Sequence, residues 1–375
     1  MYDCLIVGAG PAGSSVAYAL AKQGHSVLLV EKAVLPRYKP CSGALSPGIA
    51  QWFDFDFGPA IERQIRRVRY TWKLEDEITS ELKTEVPIWL VNRNVFDHFL
   101  VKQAIAKGAL LKDDTAATGI EFKGDSWAVE TTKGSFQGRY LVAADGAEGP
   151  TSKWLGFKDP KLKKGAILEM AADAIIDDTC ALSFEFGLVK NGCMWCFPKQ
   201  QGYTIGAATF LGNRPQDYQK ALAQYAPAFS SYFKDGQTYI HGLKLWEGNR
   251  PLHTQRAVVV GEAAAIVDPL TAEGIRHGMY SGIKAAEAID NALRGNLQAL
   301  VGYTEAMQAW GNNMQWAQRI AGVFYRVPGV GYRVGIKRPT ATTRMGQLLA
   351  GDIQYSDIAN RVIKRMSAGL IPGRK

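Results

Sequence analysis

The sequence predicts an α/β fold in which a nucleotide-binding domain with a parallel sheet is interrupted by an antiparallel sheet and followed by a helical region. Three observations support this prediction. The chain opens with a strand, a glycine-rich turn, a helix and a second strand within residues 3–31. Two later apolar strands end in corners formed by an acid and a glycine, near residues 145 and 262. Residues 166–250 are mostly typical of strand, and the chain beyond residue 300 is typical of helix.

The opening motif is Gly8-x-Gly10-x-x-Gly13, which follows the strand Asp3–Val7 and precedes a strand that ends at Glu31. Gly8 permits the tight turn, Gly10 lets a pyrophosphate approach the backbone, and Gly13 lets the helix pack on the strand. The helix N-terminus offers free N–H groups to phosphates. Glu31 can accept hydrogen bonds from an adenosine ribose, which favours a cofactor without a 2′-phosphate. The motif predicts a Rossmann-like dinucleotide site; a glycine-rich turn without a ligand is the alternative.

The two later corners are Asp145-Gly146 and Gly261-Glu262, each at the end of an apolar strand. The second corner leads through Asp268–Gly274 into a long helix, whose positive N-terminal end can stabilise the reduced, anionic form of a flavin. Either corner alone is often an ordinary strand-to-helix turn. Three motifs in this order are typical of a flavin site, so the predicted cofactor is FAD.

The three motifs resemble the flavin fold of the p-hydroxybenzoate hydroxylase class. Pro40–Ala44, the segment Val91–Asp97 and Cys193–Lys199 further resemble the geranylgeranyl reductase family, the last being similar to its Tyr-x-Trp-x-Phe-Pro substrate motif. The resemblance spans residues 1 to about 300. It implies that reduced flavin delivers hydride to a C=C bond of a geranylgeranyl or other prenyl chain while an acid supplies the proton. The sequence departs from the family at three positions, with Glu262 for Asp, Lys153 for Arg and Cys193 for Tyr.

The resemblance and the motifs together predict the site residues. The predicted cofactor contacts are Gly8, Gly10, Pro11, Ala12, Gly13, Glu31, Lys32, Cys41, Ser42, Gly43, Arg93, Asp145, Gly146, Gly261, Glu262, Pro269, Glu273, Gly274 and Ile275. The predicted substrate contacts are Cys193, Trp195, Phe197 and Pro198, and the predicted catalytic residues are Cys41, Trp195 and Phe197. No group of residues has metal-ligand spacing.

Residues 193, 195 and 197 share one face of a strand and present a thiol, an indole and a phenyl ring there. Such a face suits a long hydrocarbon beside a flavin, although plain sheet core is the alternative. Cys41 lies in a polar loop rich in Gly and Pro, which favours a place at the flavin over ordinary core packing. We expect Cys41 and Trp195 to act on one substrate from opposite walls of the pocket.

The predicted domains are discontinuous. Residues 1–65, 91–165 and 251–300 form the FAD-binding domain. Residues 66–90 and 166–250 form the substrate-binding sheet, and residues 301–375 form a basic helical C-terminal region.

The cysteine content indicates the redox state of the compartment. The five cysteines of this 375-residue chain are an odd number without a disulfide framework, which favours a reducing, cytoplasmic compartment. Cys193 and Cys196 form a C-x-x-C pair, but on a strand they point to opposite faces, which argues against shared redox or metal chemistry. No leader sequence and no apolar run of membrane-spanning length is expected.

The net charge of +9 lies wholly in residues 317–375, which contain eleven Lys or Arg and two Asp or Glu. Ile320–Ile336 interleaves Arg326 and Arg333 with Val323, Phe324, Tyr325 and Tyr332, which suits an anionic membrane surface. A solvated basic face and a dock for a small acidic redox protein are the alternatives, and NAD(P)H is the other candidate electron donor. No nucleic-acid partner is expected.

Two other functions fit the same motifs. A flavin-dependent monooxygenase or halogenase shares the first three motifs, but the Trp-x-Trp-x-Ile-Pro signature of halogenases is missing. A non-catalytic flavoprotein that binds a prenyl lipid or a pigment is the second alternative.

Overall fold

The computed structural model describes residues 1–212 and 216–360. The described residues form strands throughout the first 260 positions. In chain order they are β1 (Tyr2–Val7), β2 (Val27–Val30), β3 (Ala44–Leu45), β4 (Arg63–Ile65), β5 (Arg67–Trp72), β6 (Glu75–Glu81), β7 (Ile88–Leu90), β8 (Leu110–Lys112), β9 (Ala117–Phe122), β10 (Trp127–Thr131), β11 (Gly134–Ala143), β12 (Lys163–Ala171), β13 (Ala181–Phe186), β14 (Gly192–Pro198), β15 (Gly202–Thr209), β16 (Gln237–Leu243), β17 (His253–Thr254) and β18 (Ala257–Val259).

The helices alternate with these strands and then dominate the C-terminal part. They are α1 (Pro11–Lys22), α2 (Arg93–Ala106), α3 (Thr151–Trp154), α4 (Tyr218–Tyr225), α5 (Ile275–Leu293), α6 (Ala299–Phe324), α7 (Pro328–Gly335) and α8 (Pro339–Ala350). The sequence predicts a helix over Asn94–Lys107 with Asn94 as its cap; this cap is wrong, because Asn92 precedes α2 and Asn94 lies in its first turn. The sequence also predicts that the helices beyond residue 300 break at Pro328-Gly329 and at Pro339. Each proline begins a new helix, where its missing N–H costs no hydrogen bond.

The first sheet contains the parallel core of the predicted nucleotide-binding domain. Its strands follow the order β17-β18-β11-β1-β2-β8, with β10 and β9 attached as an antiparallel extension of β11. The pairs β1–β11, β1–β2, β2–β8 and β11–β18 are parallel. Helices α1 and α5 pack closely on one another, because Gly282 lets Ala12 approach: a Cβ there would lie 2.4 Å from Ala12 O. The predicted fold class is confirmed.

The second sheet has the order β16-β12-β15-β14-β13-β5-β6. Antiparallel pairing was predicted and holds, except that β5 and β13 run parallel, with Tyr70 opposite Phe184. The two cysteines of β14 point to different hydrophobic clusters on the two sides of this sheet, Cys193 to one and Cys196 to the other. The alternation along the strand therefore separates them, as predicted.

Helices α6, α7 and α8 cover one face of the second sheet. Phe324 and Tyr332 pack around Phe186 of β13, with ring centroids 5.2 and 6.1 Å away. Phe324, Tyr325 and Tyr332 are buried. The prediction that these three aromatic residues face a membrane is therefore wrong, because their side chains fill the space between the helices and the sheet. No helix in the described part of the chain is long and apolar enough to cross a membrane.

Candidate active site

A cavity of about 920 Å³ lies between the two large sheets and helices α6–α8. It is lined by most of the predicted site residues: Gly8, Gly10, Pro11, Ala12, Glu31, Lys32, Cys41, Ser42, Gly43, Arg93, Asp145, Gly146, Cys193, Trp195, Phe197, Gly261, Glu262, Glu273, Gly274 and Ile275. Gly13, Pro198 and Pro269 are not among its described lining residues. The cavity therefore joins the three flavin motifs to the strand β14.

The three glycines of the opening motif differ in the space around them. A Cβ on Gly8, whose φ is +106°, would lie 2.4 Å from Ala144 O, and a Cβ on Gly13 would lie 2.0 Å from Gly8 O. A Cβ on Gly10 would meet nothing nearer than the Arg37 guanidinium, at 3.9 Å. Gly8 and Gly13 are thus required by backbone packing, whereas Gly10 keeps open a surface that faces the cavity.

A network of buried charged side chains lies beside the glycine-rich turn of the cavity. Glu31 accepts a 3.0 Å hydrogen bond from Ala9 N–H and forms an ion pair with Arg37. Arg37 also donates to Asp97, whose two oxygens accept from the Arg93 guanidinium at 2.7 and 2.8 Å. Burial lowers the pKa of Arg93, but Asp97 and the thiol of Cys41 outweigh it, so the net pKa is raised. Asp97 therefore fixes both arginines against the cavity.

Two carboxylates lie at the later corners. Burial raises the pKa of Asp145, whose Oδ2 accepts from Thr151 N–H at 2.9 Å. Asp145 Oδ1 is buried and has no partner among the described residues. Burial also raises the pKa of Glu262, which accepts from the backbone N–H of Lys244 at 3.3 Å. Glu262 lines the cavity.

The loop that carries Cys41 is hydrogen-bonded to Trp195 of β14 and to Lys199, the residue after β14. Trp195 Nε1 donates to Ser42 Oγ at 2.6 Å, and Lys199 Nζ donates to Ser42 O and Val91 O at 2.8 and 2.9 Å. Burial lowers the pKa of Lys199, and Glu62 and Glu169 act in the opposite direction. The segments that carry Cys41 and Trp195 were expected on opposite walls; they are in direct contact, so the two walls meet here.

Beyond Trp195 the cavity becomes apolar and aromatic. Phe197 packs edge-to-face on Phe184, with ring centroids 5.5 Å apart. Burial raises the pKa of the Cys193 thiol to about 12, and Tyr325 Oη lies 3.8 Å from its sulfur. Cys193 is therefore a neutral packing residue in this wall. The C-terminal helices complete the apolar end with Ile320, Phe324, Tyr325, Ile336, Met345, Leu348 and Leu349.

Several residues at the site were not predicted. Arg37 stands in an irregular loop, and its contact with Asp97, 60 positions away, has no local sequence signal. Lys199 was part of a recognised motif, but its role in tying two loops depends on tertiary contacts. The sequence indicates an apolar face on each of the helices α6 and α8 through its periodicity. Periodicity alone does not show which part of the protein that face packs against.

The sequence model of the family described as FAD binding domain matches residues 1–305. The chain belongs to this family. Its cofactor is FAD, and it has the fold of the FAD-binding oxidoreductases.

Relatives of this FAD-binding protein confirm the resemblance to the geranylgeranyl reductase family that the motifs indicated. An uncharacterized protein of Methanosarcina barkeri is 30% identical over 299 residues, covering 79% of this chain and 76% of its own. A digeranylgeranylglycerophospholipid reductase of Methanocaldococcus jannaschii is 29% identical over 319 residues, covering 79% of this chain and 78% of its own.

Solved structures show the same fold. A geranylgeranyl bacteriochlorophyll reductase-like protein of Thermoplasma acidophilum has a TM-score of 0.76 at 22% identity, covering 86% of this chain and 87% of that chain. A flavin-dependent brominase has a TM-score of 0.73 at 21% identity, covering 98% and 99%. At these identities the likeness shows the fold alone.

The residues present fit FAD. Gly10 leaves the N-terminal end of α1 open to the cavity, where a pyrophosphate gains N–H groups and the positive end of the helix. Glu31 lies at the end of β2, where a ribose hydroxyl can donate to it. The N-terminal end of α5, at Gly274 and Ile275, also lines the cavity and can face the flavin ring.

Proposed function

We propose that this protein reduces C=C double bonds of a geranylgeranyl or related prenyl chain. The observation that supports the proposal is the continuity of the cavity. Its lining passes from the glycine-rich turn and Glu31, past the Ser42–Trp195 hydrogen bond, into an apolar region closed by α6 and α8. A pocket with a cofactor site at one end and a long apolar extension suits a hydrocarbon chain.

The bound FAD supplies hydride chemistry when reduced. The protein orients the alkene and excludes water, because simple alkenes are poor hydride acceptors unless they are held in place. Trp195 and Phe197 provide apolar contact area on β14. Phe324 and Leu348 cover the same space from the C-terminal helices.

We assign the proton to the Cys41 side of the cavity. Cys41 lines the cavity, and its loop is held by the hydrogen bonds of Lys199 to Ser42 O and of Trp195 to Ser42 Oγ. A thiol at this wall of the cavity carries a proton that can dissociate. Cys41 can therefore deliver a proton directly or through a water molecule.

An anionic membrane surface is the proposed source of the lipid. Four valines around the junction of α6 and α7 are exposed: Val323, Val327, Val330 and Val334, at 68%, 49%, 52% and 50%. We call this set the valine ridge. Arg319, Arg326 and Arg333 are exposed in the same helices and the turn between them. Apolar side chains flanked by arginines suit the boundary between headgroups and acyl chains.

Anaerobic rapid mixing tests the reductase function. The FAD-loaded protein is reduced chemically and mixed with geranylgeranyl diphosphate or a digeranylgeranyl glycerolipid while flavin absorbance is followed. Reoxidation together with a product two mass units heavier for each double bond supports the proposal. No reoxidation by any prenyl substrate, at full FAD content, would instead favour a monooxygenase, a halogenase or a non-catalytic lipid-binding flavoprotein.

A further inference from the structure

The charged residues that line the cavity come from two parts of the chain. Its described carboxylates, Glu31, Asp145, Glu148, Glu262 and Glu273, all belong to the part built by the flavin motifs. Among the described lining residues beyond residue 278, the charged ones are Arg338 and Arg344. The charged residues that α8 and its N-terminal cap contribute to the cavity lining are thus both cationic.

These two arginines differ from the neighbouring bases. Lys337 forms an ion pair with Asp76, and Arg333 donates to Gly329 O at 3.2 Å. Within residues 1–212 and 216–360, the guanidinium groups of Arg338 and Arg344 have neither an ion pair nor a hydrogen-bond partner. Arg338 is exposed and Arg344 is half-buried, so both can reach a ligand that enters from solvent.

We propose that Arg338 and Arg344 form an anion subsite that binds the phosphate of an amphiphilic substrate whose prenyl chain lies in the cavity. Guanidinium groups form paired, charge-assisted hydrogen bonds with phosphate oxygens. The apolar walls next to them, Ile336, Met345 and Leu349, accept the first carbons of the chain. The subsite deepens the proposed function, because it names the end group that this site recognises and sets the direction in which the chain enters.

The subsite lies outside the residues matched by the family. That match ends at residue 305, whereas both arginines belong to the α8 segment. We infer that the flavin domain is shared with the family, and that selection of the substrate end group resides in the C-terminal helices of this chain.

Saturated ligands test the subsite without turnover. Binding of phytanyl diphosphate, diphytanylglycerol phosphate and phytanol to the full-length FAD-loaded protein is measured by calorimetry. Because these ligands carry no C=C bond, a failure of the reductase proposal leaves this measurement intact. The two phosphate ligands separate a free diphosphate from a phospholipid headgroup as the preferred source.

Wild-type protein should prefer at least one phosphate ligand to the alcohol. Arg338→Gln and Arg344→Gln should each weaken phosphate binding by about 10-fold, as expected for a charge-assisted hydrogen bond, with phytanol unaffected. Inorganic pyrophosphate should compete in the wild type. Lys220→Gln removes an exposed charge outside the cavity lining and should change nothing. A double variant that keeps the full phosphate preference, with normal FAD content, would overturn the subsite.

Discussion

Trp195 donates its indole N–H to Ser42 Oγ at 2.6 Å, which fastens a strand of the second sheet to the loop that carries Cys41. The indole can lie there because the facing residue on β15 is Gly206. A Cβ on Gly206 would come within 2.0 Å of the indole ring. The position of Trp195 in the cavity therefore depends on the missing side chain of its cross-strand neighbour.

Gly206→Ala should displace the indole and break its hydrogen bond to Ser42 while leaving Trp195 in the sequence. We expect a higher KM for a prenyl substrate and retention of FAD, because the change lies away from the glycine-rich turn. Overpacking of this kind should also cost about 1–3 kcal/mol of unfolding free energy. Steady-state kinetics and Trp fluorescence measure the effect. Gly165→Ala is the matched control in the same sheet, because a Cβ there would have its nearest contacts at 3.3–3.5 Å. An unchanged KM in Gly206→Ala would show that the Trp195 indole does not hold the substrate.

Gly10→Val should abolish FAD binding without unfolding the protein. A Cβ at this position has open space on the side of the cavity, so the substitution blocks the pyrophosphate rather than the core. The ratio of flavin absorbance to protein absorbance measures the loss, and circular dichroism checks the fold. Gly119→Val changes a glycine with open space in β9 and should keep full FAD. Stoichiometric FAD in Gly10→Val would show that the turn does not hold the pyrophosphate.

The motifs that could be predicted from the sequence depend on local chemistry. The Gly8–Gly13 turn needs particular backbone angles and close approaches, and such requirements leave a fixed spacing of glycines. The alternation along β14 likewise placed residues 193, 195 and 197 on one face, and all three line the cavity.

What could not be predicted depends on contacts between distant segments. The burial of Tyr332 follows from its packing near Trp72 and Phe186, which periodicity within α7 does not reveal. Arg37 gains its role from Asp97, and Arg344 from a cavity wall that only the assembled helices create. The predicted role of residues 361–375 in the basic tail lies outside the described residues.

Cys41→Ser should slow the alkene step while FAD stays bound. The hydroxyl keeps a donor of similar size but is a much weaker acid, and positioned proton transfer is typically worth about 10²–10⁴-fold in rate. Flavin reoxidation in anaerobic stopped-flow mixing, repeated in D₂O, measures the step. Cys180→Ser, at a half-buried cysteine outside the cavity lining, is the control. Wild-type rates in Cys41→Ser would leave Cys41 as a packing residue.

His277 should make the protein sensitive to acid. Burial lowers its pKa to about 3 from the ordinary 6.5; Arg276 acts in the same direction, and Asp268 opposes it. Trp310 donates to its Nδ1 at 3.1 Å, and Glu273 lies 3.6 Å from its Nε2.

A histidine held neutral in the fold favours folding fully above pH 6.5 and loses that contribution as the pH falls toward 3, because the unfolded chain takes up the proton first. The expected loss from this residue is about 2 kcal/mol at pH 5. Urea unfolding at pH 7 and pH 5 measures it. His277→Asn keeps an acceptor for Trp310 and should lose less stability between the two pH values than the wild type; an equal loss in both would assign the acid sensitivity to other groups.

Replacement of the valine ridge should weaken membrane binding. Val323 and Val330 expose their side chains to solvent, so Val323→Ser and Val330→Ser remove apolar area without opening a cavity in the core. Burial of one valine in the interface is worth about 1.5 kcal/mol, so each change should reduce partition into anionic vesicles by about 10-fold. Ile175→Ser, at a 97% exposed residue of the second-sheet domain, is the control and should leave partition unchanged.

Vesicle flotation with and without phosphatidylserine measures the partition of the protein into membranes. Added salt should lower this partition, because the arginines contribute to it through their charge. Equal partition of the wild type into neutral and anionic vesicles, or none into either, would remove the membrane surface as the source of the lipid.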